Sequence, residues 1–353
     1  MEAAISIESV GYGGAGVGRL PDGRVCFVHG TLPGERARVR VVHERKNHAE
    51  AELLELLEAS PRRVKPRCGV FGSCGGCAYQ HAAYPLQLEL KTAQVREVLR
   101  RLGGFADARV EPAIASPLEY GYRNRISLHH SPRGFGFFQR GSHRVVPVGS
   151  CPLASEGVNA QIPSLDPRRA KPGSRITLRA ENPPRGFSQV NPPAAELLAD
   201  VVEEMAGTGG ALVDAYCGSG FFTRKLRGGF ESATGIEWSG AAVAAARELA
   251  GANDTYLEGS VEGLLATTLK RSGPARPVLV ADPPAEGLDP KVLAAILENP
   301  PVRIVYVSCD PATFARDAKR LAEKFALDRV QPVDMFPQTA DIELAALLAL
   351  KTP

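Results

Sequence analysis

From about residue 188 to the end, segments of strand character alternate with segments of helical character, and this alternation constrains the fold more than any other feature. NPPAAELLADVVEEM reads as a helix, ALVDAYC as a strand and SGFFTRKL as the start of a helix. SATGIE and PVLVADPP are strands, with the helix GAAVAAARELA between them. VRIVYVSC is a strand, PATFARDAKRLAEKFA a helix, and RVQPVDMF and IELAALLAL close the chain. Such an order predicts a mainly parallel sheet with helices on both faces, whose ligands lie at the carboxyl ends of the strands.

The stretch VDAYCGSGFFT puts Asp214 at a strand end and Gly218 and Gly220 before a helix. Glycines there let a ligand approach the backbone. The pattern departs from a dinucleotide fingerprint, because Thr223 stands where the third glycine would be, and no P-loop sequence is present. An acidic strand end also repels phosphate. Glu237 closes the next strand, placed to accept the hydroxyls of a ribose. A nucleoside without phosphates and with a positive charge satisfies both carboxylates, which points to S-adenosylmethionine rather than a nicotinamide or a purely structural site.

Cys309 ends another strand, just before a helix opened by Asp310 and Pro311. A helix N-terminus is expected to lower a thiol's pKa, which suits a nucleophile, although a lone cysteine is more often a buried structural residue. Asp282, in VADPPAEG, ends the preceding strand and is placed to bond a base edge or a cofactor amine, or only to form an Asx turn. The aromatic that amine methyltransferases stack after this loop is Ala285 here. A thiol beside a methyl donor has a specific use. Addition to carbon 6 of a pyrimidine makes carbon 5 nucleophilic enough to take a methyl group. A base must then remove the carbon-5 proton, and Glu343 is the candidate, though read alone it is an ordinary surface carboxylate.

The N-terminal half follows different rules. Residues 1 to about 58 give short strands between glycine turns and predict a small antiparallel barrel. ASPRRVKPRC is a linker, and YPLQLELKTAQVREVLRRLGG is a helix carrying Leu86, Leu90, Val98, Leu99 and Leu102, stopped by Gly103. Between them, CGVFGSCGGCAYQH crowds Cys68, Cys74 and Cys77 among four glycines. Residues 120–150 return to strands, with no acidic residue, five arginines, three histidines and five aromatics. Since the whole chain carries a net charge of only +3, this basic stretch is local. It suits phosphates and unstacked bases, or equally a solvated basic face.

No run of 18 apolar residues occurs, and the first twenty residues lack a basic start and an apolar stretch, so neither a membrane span nor a secretion signal is expected. Seven cysteines in such a chain are better read as thiolate chemistry in a reducing cytoplasm than as disulfides.

Taken together, these motifs resemble the RNA uracil-5 methyltransferase family, nearly end to end. GYGGAGVGRL and TLPGERARVRV look like its TRAM barrel, CGVFGSCGGCAYQHAAYPLQLELK like its iron–sulfur segment, and GFSQVN, DAYCGSGFF, YVSCDPATFARD and DMFPQTADIE follow in the family's order. The resemblance implies three domains: a TRAM-like RNA-binding barrel (1–58), a central α+β iron–sulfur and RNA-binding region (59–187) and a Rossmann-like methyltransferase domain (188–353), on which helix 85–103 is expected to pack. It implies a [4Fe–4S] cluster on Cys68, Cys74, Cys77 and Cys151; spacing alone also allows structural zinc, since both take four thiolates. Cys309 would be the nucleophile and Glu343 the proton acceptor. Gln189, Tyr216, Gly218, Phe221, Glu237 and Asp282 would line the S-adenosylmethionine and target-base site. Cys26 and Cys217 match no ligand position and are read as structural.

The expected substrate is a uridine of ribosomal RNA, 23S first, with transfer RNA as the alternative. Ala285, Gln338, Asp341, Ser260 and Asp310 depart from residues usual in the family, leaving room for a non-catalytic RNA-binding or chaperone descendant. RNA cytosine-5 methylation is disfavoured, since its paired cysteine motifs are missing.

Overall fold

The computed structural model describes residues 1–171, 173–180, 189–272 and 276–352. The expected boundary at 187/188 and the first three residues of GFSQVN lie outside them. The chain divides into two compact units, each of which takes a short segment from the other's stretch of sequence: residues 1–94, 117–182 and 336–341 form one, and 95–116, 183–335 and 342–353 the other.

In the first unit, β1 (Glu2–Val10), β2 (Ala15–Arg19), β3 (Val25–His29), β4 (Arg36–Glu44) and β5 (His48–Glu58) close a barrel in the order β1-β2-β3-β5-β4. Period-two alternation turns Ile5, Ile7, Cys26, Val28, Ala37 and Val39 inward. Arg36, Arg38 and Arg40 point outward and pair with Glu58, Glu55 and Glu2. The expected antiparallel barrel needs one correction. β3 and β5 run parallel, because the chain passes from β3 to β4, which pairs with β1, before β5 fills the place between β3 and β4, antiparallel to β4.

A second sheet holds β6 (Arg125–Ser131), β7 (Gly134–Phe138), β8 (Val145–Pro147) and β9 (Arg175–Arg179) in the order β8-β7-β6-β9. Ile126, Leu128, Phe135 and Leu178 are buried on one face. On the other, His129 stacks on Phe138 with ring centroids 3.8 Å apart.

The second unit is built on a seven-stranded sheet of β10 (Gly209–Ala215), β11 (Phe230–Glu237), β12 (Asp254–Glu258), β13 (Val278–Ala281), β14 (Arg303–Ser308), β15 (Phe325–Val333) and β16 (Glu343–Leu350). The order is β12-β11-β10-β13-β14-β16-β15. All pairs are parallel through β14, after which β16 runs antiparallel to both neighbours. A mainly parallel sheet was the expectation, and the reversed strand is the addition. The alternation in the sequence leaves out β12 and the helices Val261–Arg271 and Pro290–Glu298. Among the residues of β12 only Tyr256 is buried, so this edge strand carries little apolar signal.

The helix Tyr84–Val98 continues into a wider turn, Leu99–Gly103, closed by left-handed Gly104. Val95, Val98 and Leu99 join the core under the sheet, whereas Leu102 is 53% exposed and leaves the stripe read for it.

Candidate active site

At the carboxyl ends of β10, β11 and β13 a cavity of about 730 Å³ opens. Gln189, Tyr216, Gly218, Phe221, Glu237 and Asp282 all line it, as does Ser260. Trp238, Glu262 and Pro284 line it too and were missed by sequence reasoning. Trp238 is the chain's one tryptophan and stands 76% exposed directly after Glu237.

The loop after β10 takes its shape from backbone that few residues adopt. Tyr216 has φ 64° and Gly220 φ 78°. At Gly220 a Cβ would stand 2.6 Å from the Tyr256 hydroxyl, so glycine is needed for space as well as for conformation. Glu237 binds this loop from the neighbouring strand: it accepts from Gly218 N–H at 3.1 Å and Ser239 N–H at 2.9 Å. The same carboxylate that faces the cavity therefore also fixes the cavity's floor. Asp214, read as a ligand residue, is not on the wall. It is fully buried and accepts from Thr223 N–H (2.9 Å) and Oγ1–H (2.6 Å), which ties the strand to the following helix. Burial pushes its pKa up to about 6.

Cys309 and Glu343 are brought together by strand pairing. Ser308 of β14 is opposite Leu344 of β16, so the next pair outward is Cys309 and Glu343. Cys309 is exposed, and Glu343 is buried at the strand's first position. Neither is on the wall of the cavity. Asp282 is the link, since it lines the cavity and its charge acts on Cys309.

The expectation of a lowered thiol pKa fails. Partial enclosure, then the carboxylates of Glu343 and Asp282, push Cys309 up to about 11. The helix Pro311–Leu321 does begin beside it, but Asp310 caps that helix by accepting from Ala312 N–H (2.7 Å) and Thr313 N–H (2.9 Å). The N–H groups that would have steadied a thiolate are already engaged. Asp282 is itself raised to about 7, by burial and by Asp214.

A polar clamp holds the Asp282 loop. Buried Asp317 accepts from Leu288 N–H (2.7 Å), from Tyr306 O–H (2.9 Å) and from Arg316 Nε–H (2.9 Å), while Arg316 Nη2 donates to Glu286 C=O at 2.7 Å. One carboxylate thus joins the loop after β13, the strand β14 and the helix after Cys309. The two residues were visible in the ARD of YVSCDPATFARD, but no sequence signal separated their role from that of any helical ion pair.

In the other unit, Cys68, Cys74, Cys77 and Cys151 line a single cavity together with Phe71, Gln80, Arg123, Phe137 and Leu153. Gly76 N–H donates to Cys74 Sγ at 3.4 Å and Gln80 Nε2–H to Cys77 Sγ at 3.2 Å. Among the described residues no three of His, Cys, Asp and Glu are placed to hold a single metal ion. Cys26 and Cys217 are buried. Gln338 and Asp341 also fall in this unit, where Gln338 N–H donates to Gln87 Oε1 at 3.0 Å and Thr339 Oγ1–H to Asp341 Oδ2 at 3.2 Å.

A sheet with a reversed last strand, a glycine loop and an acidic strand end around an open cavity defines a methyltransferase fold. Along 99% of its length the chain matches all of the Pyrococcus abyssi tRNA (uracil-54, C5)-methyltransferase solved with S-adenosyl-L-homocysteine, with a TM-score of 0.73 and 25% identity. Residues 2–54 match the TRAM domain, and residues 274–351 match the tRNA (uracil-5-)-methyltransferase model. An RNA methyltransferase of Gloeobacter violaceus is 34% identical, the alignment covering 98% of this chain and 95% of that one. One of Thermosynechococcus vestitus is 32% identical, covering 98% and 97%. The chain belongs to this family of RNA methyltransferases, with an N-terminal TRAM domain and a C-terminal uracil-5-methyltransferase domain.

Proposed function

We propose that this enzyme methylates carbon 5 of a uridine in RNA, in the cytoplasm, using S-adenosylmethionine as donor. The observation that supports the reading is the pairing of Ser308 with Leu344, the neighbours of Cys309 and Glu343, together with the charges of Glu343 and Asp282 acting on the thiol. Purine methylation has no use for such a thiol, whereas cytosine-5 methylation shares the addition to carbon 6 and is disfavoured here because its paired cysteine motifs are missing.

The donor, when bound in the 730 Å³ cavity, supplies an electrophilic methyl group. Glu237 accepts its ribose hydroxyls and Asp282 its charged amine. The uridine is flipped out of its RNA fold so that carbon 6 meets Cys309. Because partial enclosure and two carboxylates keep this sulfur protonated, the exposed thiol gives its proton to solvent as the base arrives. The thiolate then adds to carbon 6, the electron pair moves to carbon 5 and onto the ring oxygen, and carbon 5 takes the methyl. Glu343 removes the carbon-5 proton, and the returning electrons expel the Cys309 thiolate.

The cysteine cavity belongs to the same reading. Four thiols in one cavity support a four-thiolate site, and we read its occupant as a [4Fe–4S] cluster on Cys68, Cys74, Cys77 and Cys151, as the family resemblance implies, with zinc as the alternative. The N–H groups of Gly76 and Gln80 and the buried Arg123 Nε suit a negatively charged occupant. Its task is to order the RNA-binding region.

Ribosomal RNA, 23S first, is the substrate favoured by the barrel joined to a four-cysteine segment. The transfer-RNA reading has its own support in the neighbour and family model, both described as tRNA enzymes. Mapping 5-methyluridine in rRNA and tRNA from cells lacking the protein separates them, and loss from neither overturns the activity. In vitro, Glu343→Gln should accumulate an RNA adduct that survives a denaturing gel. No adduct with a correctly folded variant removes Glu343 as the base.

A further inference from the structure

Arg123 lines the cavity of the four cysteines, and its Nε is buried with no hydrogen-bond partner among the described residues. Its backbone is fixed to the segment after Cys151, the N–H donating to Leu153 C=O at 2.8 Å and the C=O accepting from Ser155 N–H at 2.9 Å. The guanidinium acts on Cys74, Cys77 and Cys151, and is itself faced by Tyr122, Cys151 and Asp341. The other nearby arginine, Arg140, is engaged: its Nη2 donates to Cys77 C=O at 2.9 Å. The guanidinium carbon stands 5.8 Å from the centroid of the Tyr122 ring, but a buried N–H such as its Nε costs stability unless an acceptor fills the space beside it. Four thiolates around a doubly positive iron–sulfide core leave a net double negative charge.

We propose that Arg123 is the built-in countercharge of the cluster, raising its reduction potential and protecting it from oxidative breakdown. This rests on the reading of the cysteine cavity as a [4Fe–4S] site. The charge acts in one direction on both properties. It stabilises the core after a one-electron reduction, and it opposes loss of an electron to dioxygen, which becomes superoxide while the oxidised core sheds iron. Charge and hydrogen bonding around the sulfurs are the means by which a protein sets such potentials.

The test uses the full chain loaded anaerobically, with iron and sulfide counted, the potential taken by dye-mediated titration, and bleaching of the visible band followed in air. Arg123→Gln should lower the reduction equilibrium constant at least tenfold, about 59 mV for one electron, and bleach several-fold faster. Arg123→Lys should restore most of both. Asp341→Asn, which removes an opposing charge, should move the potential upward even if the glutamine variant fails to fold. A loaded Arg123→Gln protein with unchanged potential and bleaching rate, or an Asp341→Asn protein with unchanged potential, overturns the proposal. Wild-type protein carrying zinc, or neither iron nor sulfide, overturns the cluster reading itself and the proposal with it, and leaves the methylation reading standing.

Discussion

The two units hold sulfur in opposite electrical surroundings. In one, four thiols share a cavity with a guanidinium, and two of them, Cys74 and Cys77, accept N–H groups. In the other, the Cys309 thiol feels the carboxylates of Glu343 and Asp282, beside a helix start whose N–H groups are already capped. Burial raises the thiols in both places, Cys77 to about 12 and Cys309 to about 11. What differs is the charge that faces them: Arg123 opposes the rise at Cys74, Cys77 and Cys151, whereas Glu343 and Asp282 add to it at Cys309.

This contrast is most sharply tested by removing the lone thiol. Cys309→Ala should abolish 5-methyluridine formation and the adduct together, measured by nucleoside analysis, while iron and sulfide content stay unchanged. Glu343→Gln should slow turnover by about 10²–10⁴-fold, the usual worth of a positioned base. The same change removes a charge that raises Cys309, so alkylation of this residue at pH 8 should quicken, read by mass spectrometry of the labelled peptide. In the unchanged protein that alkylation should keep rising with pH up to about 11, because the thiol is mostly protonated below it. A plateau near pH 7 would refute the carboxylate surroundings.

A smaller effect concerns the donor. Asp282 is raised to about 7, so its carboxylate form, proposed above to hold the donor's amine, is lost as pH falls through that value. Affinity for S-adenosylhomocysteine should fall from pH 8 to pH 6 by severalfold and become flat in Asp282→Asn. Quenching of Trp238 at the cavity rim gives the binding curve. Smallest is Tyr306→Phe, which leaves Asp317 short of one buried partner and should cost about 1–3 kcal/mol in chemical unfolding without altering the alkylation profile.

How far the sequence led differs between these same regions. The residues of the large cavity were legible because strand ends, glycines and acids follow one another along the chain, so Gly218, Glu237 and Asp282 could be placed from local pattern. The role of Asp214 was misread, since a short-range pattern cannot tell an acid facing a ligand from one holding Thr223. The raised Cys309 thiol was hidden for a different reason. Its governing charges lie 27 positions before it and 34 after it, and the capping of the helix by Asp310 removes the dipole effect the local sequence promised. The four cysteines were visible as a spacing, while the guanidinium among them carried no mark that separated it from its basic neighbours.

The reversed strand β16 has a consequence for how such a chemistry can be kept. The ladder ends at Ser308 opposite Leu344, so Cys309 and Glu343 flank its last pair and sheet geometry brings them near although 33 residues separate them in sequence. A slip of one position would turn the carboxylate to the opposite side of the sheet. The proposed nucleophile and base are therefore held as a single alignment of neighbouring strands, intolerant of any shift within the last one.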